Sequence, residues 1–419
     1  MSKSAECAFL KDAMSKIIPF AAKRSRIPIL EQVRIIARTD EIELTTTDVD
    51  NTARISIPAF GAGSWETCVR AHDFFDAVKA QSADTVTMDY SGDKDGRFTF
   101  GNRTMPTLPA ADFPDYGPTA ESEGRITVPF STYRNIWRKT GFAIPTEETR
   151  YYPNGIYIHQ ESGAFRAVTS DGHRLAIYNF HANSAGNWPA SIVPRFLCQT
   201  LARNIGKKGD GAYEIEHYGN GVMIREVQDK SMYGALNVWA RLVDGTFPDY
   251  VRVIPTDFFG AVTYAKSALE SALGAVKISK EKAQAVAVDI IGADTILSAQ
   301  SAEGDKARAD LRHTGDSHID FRIGFNASYV GALLSAFDGE SVTMRIGGTY
   351  VKGTKVKAPC NDSAVLWESP NDPGFSVVLM PMRIGKRPEK ETAEAVTVPD
   401  GGANLAEAHQ SKVTEGEMK

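Results

Sequence analysis

The sequence predicts an α+β chain of three tandem, similar domains, each built from two strand–helix–strand halves. Three observations carry that reading. A short strand leading through a turn or a proline into a helix recurs six times along 419 residues. The recurrences are evenly spaced. Two of the following strands, TVTMDY (85–90) and SVTMRI (341–346), are near copies of each other with alternating residue types.

The helices are justified one by one by an apolar stripe. AFLKDAMSKII (8–18) places Leu10, Met14 and Ile17 on one side, and VRAHDFFDAVKAQS (69–82) places Phe74, Phe75 and Val78. ITVPFSTYRNIW (126–137) offers Phe130, Tyr133, Ile136 and Trp137; SIVPRFLCQTLARNI (191–205) offers Phe196, Leu197, Leu201 and Ile205. In the third domain, RVIPTDFFGAVTYA (252–265) contributes Phe258, Phe259 and Val262, continued by Leu269. FRIGFNASYVGALLSAF (321–337) adds Tyr329, Val330, Leu333, Leu334 and Phe337. Pro129, Pro194 and Pro255 are read as helix starts, where a missing N–H goes unnoticed, and Ser131 and Thr256 as local capping oxygens. Helices with one apolar stripe must lie on a sheet with the opposite face free, so these aromatics are core rather than a cofactor box.

Spacing sets the domains. Phe9, His72, Phe130, Pro194, Thr256 and Asn326 mark the helix regions at intervals of 63, 58, 64, 62 and 70 residues. Alternate markers then define domains at 1–124, 125–253 and 254–384. Residues 385–419 contain no aromatic residue and alternate charged with small residues, which predicts a flexible tail.

Composition excludes several classes. With 42% apolar and 24% charged residues, the chain can bury real cores. Cys7, Cys68, Cys198 and Cys360 stand far apart without a CxxC pair, so neither a disulfide frame nor a zinc site is expected. Lys11, Asp12 and Lys16 interrupt the start before a secretory apolar region forms, and no apolar run is long enough to span a membrane. A cytoplasmic chain without membrane contact is the expectation. The net charge of −5 hides a polarity: the six helix windows sum to +4 and the remainder to −9. Arg134, Arg138, Lys139, Arg195, Arg203, Lys207 and Lys208 dominate it, although the third-domain windows are net acidic. Helices sharing one surface could grip a polyanion through phosphates without reading bases.

No catalytic signature stands out. Phosphate-binding, dinucleotide, metalloprotease and nucleophile-elbow motifs are missing, and the histidines show no metal-ligand spacing. Asp171 and His173 could be recruited to hydrolysis, but Asp171–Gly172 reads first as a turn. His313 and His318, in HTGDSH, read as solvated. Three segments look instead like walls of one apolar pocket: SDGHRLAIY (170–178), LVDGTFPDYVRVIP (242–255) across a domain boundary, and SVVLMPMRI (376–384). Two or three buried anchors, each contributing about 1.5–3 kcal/mol, would give about micromolar, exchangeable peptide binding after ordering costs.

At these residues the chain resembles the bacterial DNA polymerase III beta subunit, the replicative sliding clamp. RIPIL (26–30), TLPAADFPDY (107–116), RYYPNGIYI (150–158), TSDGHRLAIY (169–178), RLVDGTFPDY (241–250), IGFNASYV (323–330) and VVLMPMR (377–383) match in the family's order. The resemblance implies three clamp domains per chain and a head-to-tail dimeric ring, helices lining the hole. It implies a non-enzymatic processivity subunit without cofactor or metal, opened by a separate clamp loader. Its partners would be a second copy, double-stranded DNA of any sequence, the polymerase III alpha subunit, the clamp loader, other polymerases and mismatch-repair proteins.

The resemblance also implies site residues. The peptide pocket falls on Pro153, Ser170, Gly172, His173, Arg174, Leu175, Pro248, Arg252, Val253, Val378, Met380, Pro381, Met382 and Arg383. Pro153 stands where the family has Leu, and Ser170 where it has Thr. DNA contacts are expected at the Lys23, Arg24, Arg26 loop besides the helix cations, with Ser25 replacing the familiar Pro after Arg24. The dimer contact would join Met105 and Leu108 to Lys277 and Ile278. The tail, which the family lacks, could tune access to the pocket. Two alternatives stay open: a clamp-like interaction protein for repair or a mobile element without normal ring closure, and a nuclease using Asp171 and His173.

Overall fold

The computed structural model describes residues 1–92, 96–145, 153–161, 163–205, 210–227, 234–278, 284–301, 303–350, 357–385 and 387. Lys207, Lys208 and nearly all of the tail lie outside the described residues. Six α-helices occur among the described residues: α1 (Cys7–Ile17), α2 (Ala71–Ala80), α3 (Phe130–Thr140), α4 (Arg195–Asn204), α5 (Lys266–Ala275) and α6 (Ala327–Ala336). They pack in pairs, α1 with α2, α3 with α4 and α5 with α6. The stripes predicted for α1, α2, α3, α4 and α6 are buried as expected at Leu10, Met14, Phe74, Val78, Tyr133, Leu197, Leu201, Leu333 and Leu334, whereas Phe196, expected in the α4 stripe, is exposed.

The fifth helix is displaced from its expected place. Phe258–Ala265 is a strand, paired along Ser341–Gly347, and helix formation begins only at Lys266. The segment FFGAVTYA is aromatic and β-branched, which suits a pleated surface, and its Val262 and Tyr264 are buried on one face with period two. Pro255 and Thr256 therefore precede a strand, not a helix. Pro129 and Pro194 close the strands before α3 and α4, one residue ahead of the helix, and neither helix has a side-chain cap. Among the six, α6 alone is capped, by Asn326 Oδ1 accepting from Ser328 N (2.9 Å) and Tyr329 N (3.4 Å). With these bounds α5 carries Lys266 and Glu270 and α6 carries no charge, so the third-domain helices are neutral rather than acidic.

Among the described residues the strands form three sheets of 13, 10 and 4 strands, the second having nine along its path and Lys357–Pro359 branching from Ser341–Tyr350. The largest crosses from the first domain to the second where Asn51–Pro58 pairs antiparallel with Asn237–Arg241. The second crosses from the second domain to the third where Arg174–Phe180 pairs with Phe375–Leu379. The third holds Lys306–Arg312, Asp294–Gln300, Ala285–Ile291 and Asp320–Asn326 in that order. One apolar core extends from Ala5 to Ala240 and another fills the last third; a small cluster of Val168, Leu175, Ile177, Ile192, Phe247, Tyr250, Leu366 and Val378 sits on the second crossing. His313 departs from its expected solvation: it is buried, its Nδ1 2.8 Å from Thr295 Oγ1, which in turn meets Tyr264 OH at 3.1 Å. Burial pushes its pKa below the ordinary histidine value. No helix among the described residues is long and apolar enough to cross a membrane.

Candidate functional site

The second sheet crossing brings the predicted pocket words together. Arg174 pairs with Leu379 and Leu175 with Val378, and Met380 N extends the ladder by donating to His173 O at 2.8 Å. The turn that launches this strand is held from within. Asp171 Oδ1 accepts from His173 N and Arg174 N, both at 3.0 Å, and Oδ2 accepts from Arg174 Nε at 2.9 Å. Ser170 Oγ accepts from Gly172 N at 3.2 Å and donates to Arg174 O at 3.1 Å. Gly172 sits at φ +85°, where a Cβ would be strained. Both carboxylate oxygens of Asp171 are thus engaged in shaping the turn, as the Asp-Gly pair predicts.

Arg174 is positioned from two sides. Its guanidinium lies over the Tyr329 ring at 4.3 Å and the Phe142 ring at 5.4 Å, while His173 and Tyr329 have ring centroids 6.2 Å apart. Burial raises the Tyr329 pKa, and Asp171 adds to the rise. Met382 is fixed differently: its N–H donates to Gly324 O at 2.7 Å. Any Cβ on Gly324 would meet Met382 O at 2.6 Å, so this close approach requires glycine.

Leu175 and Val378 are buried and form the floor, together with Phe247, Tyr250 and Leu366. Tyr157 and Phe247 stack at 4.8 Å, and Tyr250 OH meets His159 Nε2 at 2.9 Å and accepts from Arg166 Nη1 at 3.2 Å. Val251 and Val253 stay 57% and 51% exposed and Met380 40%, apolar surface that a partner can cover. Pro248, Arg252, Gly172, His173 and Arg383 are also exposed, Arg252 pairing with Asp249 at 2.7 Å; Pro153, Ser170, Pro381 and Met382 are half-buried.

Tyr329 and Phe142 fall outside the predicted pocket residues, and Phe247 and Tyr250 lie in the predicted wall 242–255 without being singled out. Tyr329 looked like one more member of a helix stripe, and nothing local in the sequence ties it to Arg174. The FPDY words supply a signal for Phe247 and Tyr250, since aromatics flanking a boundary proline are natural packing points.

The expected DNA-facing cations divide into groups. Lys23, Arg24, Arg26, Arg134 and Arg203 are exposed. Arg195 is half-buried and donates to Pro145 O at 3.0 Å. Arg138 is engaged with Asp338 at 2.7 Å and Ala336 O at 3.1 Å. Lys139 corrects the expectation outright: its side chain is 2% exposed, between Asp338 at 2.9 Å and Asp372, so it cannot reach a phosphate. At the expected dimer contact, Met105 is buried in its own domain opposite Phe98, whereas Leu108 is half-buried, Lys277 exposed and Ile278 partly covered. Two strand edges near these residues carry no strand partner among the described residues: that of Arg103–Pro106 and the outer edge of Lys306–Arg312.

The family descriptions "DNA polymerase III beta subunit, N-terminal domain" and "central domain" match residues 4–117 and 127–249. The beta sliding clamp of Caulobacter vibrioides is 30% identical over 403 residues, covering 92% of this chain and all of the relative. That of Escherichia coli K12 is 28% identical over 372 residues, covering 86% of this chain and 94% of the relative. The crystal structure of a Caulobacter crescentus beta sliding clamp superposes with a TM-score of 0.81 at 29% identity, covering 92% of this chain and 99% of that one. A Bartonella birtlesii clamp bound to griselimycin gives 0.80 at 26%, covering 92% and 100%. The chain belongs to the DNA polymerase III beta subunit family, the bacterial beta sliding clamps.

Proposed function

We propose that the chain works as a topological tether, and the full-length match to clamps of the same three-domain build is the observation that carries this reading. Two copies joined head to tail encircle duplex DNA and bind a polymerase through a short peptide, which raises the enzyme's effective concentration at the primer end. The ring makes and breaks no covalent bond. Clamp loader, polymerase III alpha subunit, other polymerases and mismatch-repair proteins share the peptide site.

Domain limits at 124, 253 and 384 suit this reading, since the two sheet crossings then mark the two joints inside a chain. The peptide occupies the surface formed by Gly172–Leu175, Pro248–Val253 and Val378–Arg383, its apolar anchors covering Met380 and Val253. The bare edge of Arg103–Pro106 pairs with Lys306–Arg312 of the second copy, continuing a sheet across the joint and removing two exposed edges. Exposed Lys23, Arg24, Arg26, Arg134 and Arg203 contact phosphates without reading bases. The test is primer extension with clamp loader and polymerase: products lengthen when the chain is added. Unchanged product length with a loaded chain would contradict the reading.

A further inference from the structure

The two joints inside the chain share a device that sequence spacing did not suggest. Lys16 is the tenth residue of α1, and Lys139 is the tenth residue of α3. Both helices run for 11 residues and continue into a 3₁₀ turn, at Ile18–Phe20 and Gly141–Ala143. Both lysines reach beyond their own domain, although Lys16 also pairs with Asp12 one turn earlier in α1 at 3.2 Å. Lys16 Nζ reaches Glu226 Oε2 at 3.1 Å and Gly234 O at 3.0 Å, with side chains only 11% and 6% exposed. Glu226 Oε2 also accepts from Leu236 N at 3.1 Å, so the carboxylate is fixed by the strand it serves.

Lys139 is held more tightly. Its ammonium contacts Asp372 and Asp338 and lies over the Phe375 ring at 4.8 Å and the Tyr178 ring at 5.4 Å. Asp338 N donates to Asp372 Oδ2 at 3.2 Å, and the neighbouring Arg138 grips Asp338 at 2.7 and 2.8 Å and Ala336 O at 3.1 Å. Two cations and two carboxylates thus close on one another across the joint. A buried charge that loses its partner is strongly destabilising, so the joint cannot hinge without a large penalty.

We propose that Lys16 and Lys139 are latches that fix the relative orientation of neighbouring domains within a chain, Lys139 thereby positioning the two walls of the peptide site. The corresponding tenth residue of α5 is Ala275, whose side chain ends at Cβ, and the lysine of that helix, Lys266, turns back to Phe337 O at 2.8 Å in its own domain. On the head-to-tail ring reading, the joint after the third domain is the one between chains. The latches then confine opening to that joint, where no lysine is available at this position.

The test uses the full-length dimer. Lys139→Met raises amide hydrogen exchange at least tenfold at Asp338 and Phe375, whose N–H groups are bound to Asp372, and weakens a peptide with Gln and Leu/Phe anchors at least threefold. Exchange in Asp294–Gln300, remote from the joint, stays at its wild-type rate. Lys16→Met does the same at Leu236 and leaves the peptide affinity unchanged, and it decides the matter if the Lys139 variant does not fold. Unchanged exchange at both joints overturns the proposal. So does a rise spread evenly over the third domain, which would mark a role in stability alone. Failure of the wild-type chain to bind the peptide would count against the clamp reading, while the exchange arm still decides the latch.

Discussion

Truncating Met380 to alanine tests the peptide site at its most exposed anchor point. Met380 is 40% exposed in the free chain. That leaves about 80 Å² for a partner to cover, worth up to about 2 kcal/mol at about 25 cal/mol per Å², or about 30-fold in Kd. The backbone is unaffected, because Met380 N–H bonds to His173 O whatever the side chain. The expected result is a 10- to 30-fold rise in Kd (about 1.4–2 kcal/mol) for a labelled peptide with Gln and Leu/Phe anchors, read by fluorescence anisotropy. Sedimentation should show the same dimer as wild type, because the edge strands assigned to the joint between chains lie elsewhere. A Kd within twofold of wild type would refute the placement of the peptide over Met380. Loss of the dimer would show that the two surfaces were wrongly separated.

Three further outcomes follow from the same geometry. Neutralising Arg24, Arg134 and Arg203 together should lower the slope of log binding constant against log salt by about 0.9 per lost phosphate contact, about 2.7 for each copy on the duplex, with peptide affinity kept. An unchanged slope in a DNA-binding titration would remove these residues from the DNA face. Burial depresses the pKa of His159, His217 and His313, so the unfolded chain binds protons more readily than the folded one. Their stabilising contribution is complete above the ordinary value of 6.5 and is lost as pH falls through the depressed values. His313→Asn, which can keep a bond to Thr295, should flatten the fall in thermal midpoint between neutral and mildly acidic pH, and an identical profile would contradict this. Purified chain with Mg²⁺ should leave DNA intact; cleavage that disappears in His173→Ala would revive the nuclease reading.

Local features were legible in the sequence and long-range ones were not. The stripes of α1, α2, α3, α4 and α6 announced themselves because a helix face is written within four residues. The strand at Phe258–Ala265 is hidden in the sequence because its phenylalanines and Val262 also fit helical spacing. Its strand identity is fixed by pairing with Ser341–Gly347, which lies outside any local window. The pocket words at 170–175 and 377–383 were recognisable as words, but Tyr329 enters only through a contact with Arg174 across the fold. Lys139 looked as available as Arg134, five residues earlier. What separates them is the ladder between Arg174–Phe180 and Phe375–Leu379, which carries Asp372 up to α3. Met105 shows the same limit more simply: on a strand with one bare edge, the side chain can still point into its own core.

The most direct test of the tether is retention on DNA. Loaded by the clamp loader onto a nicked circle, the chain should remain bound through a wash at high salt, and cutting the circle once should release it from the free ends. Equal loss from circle and line, or retention on a linear duplex with open ends, would contradict encirclement.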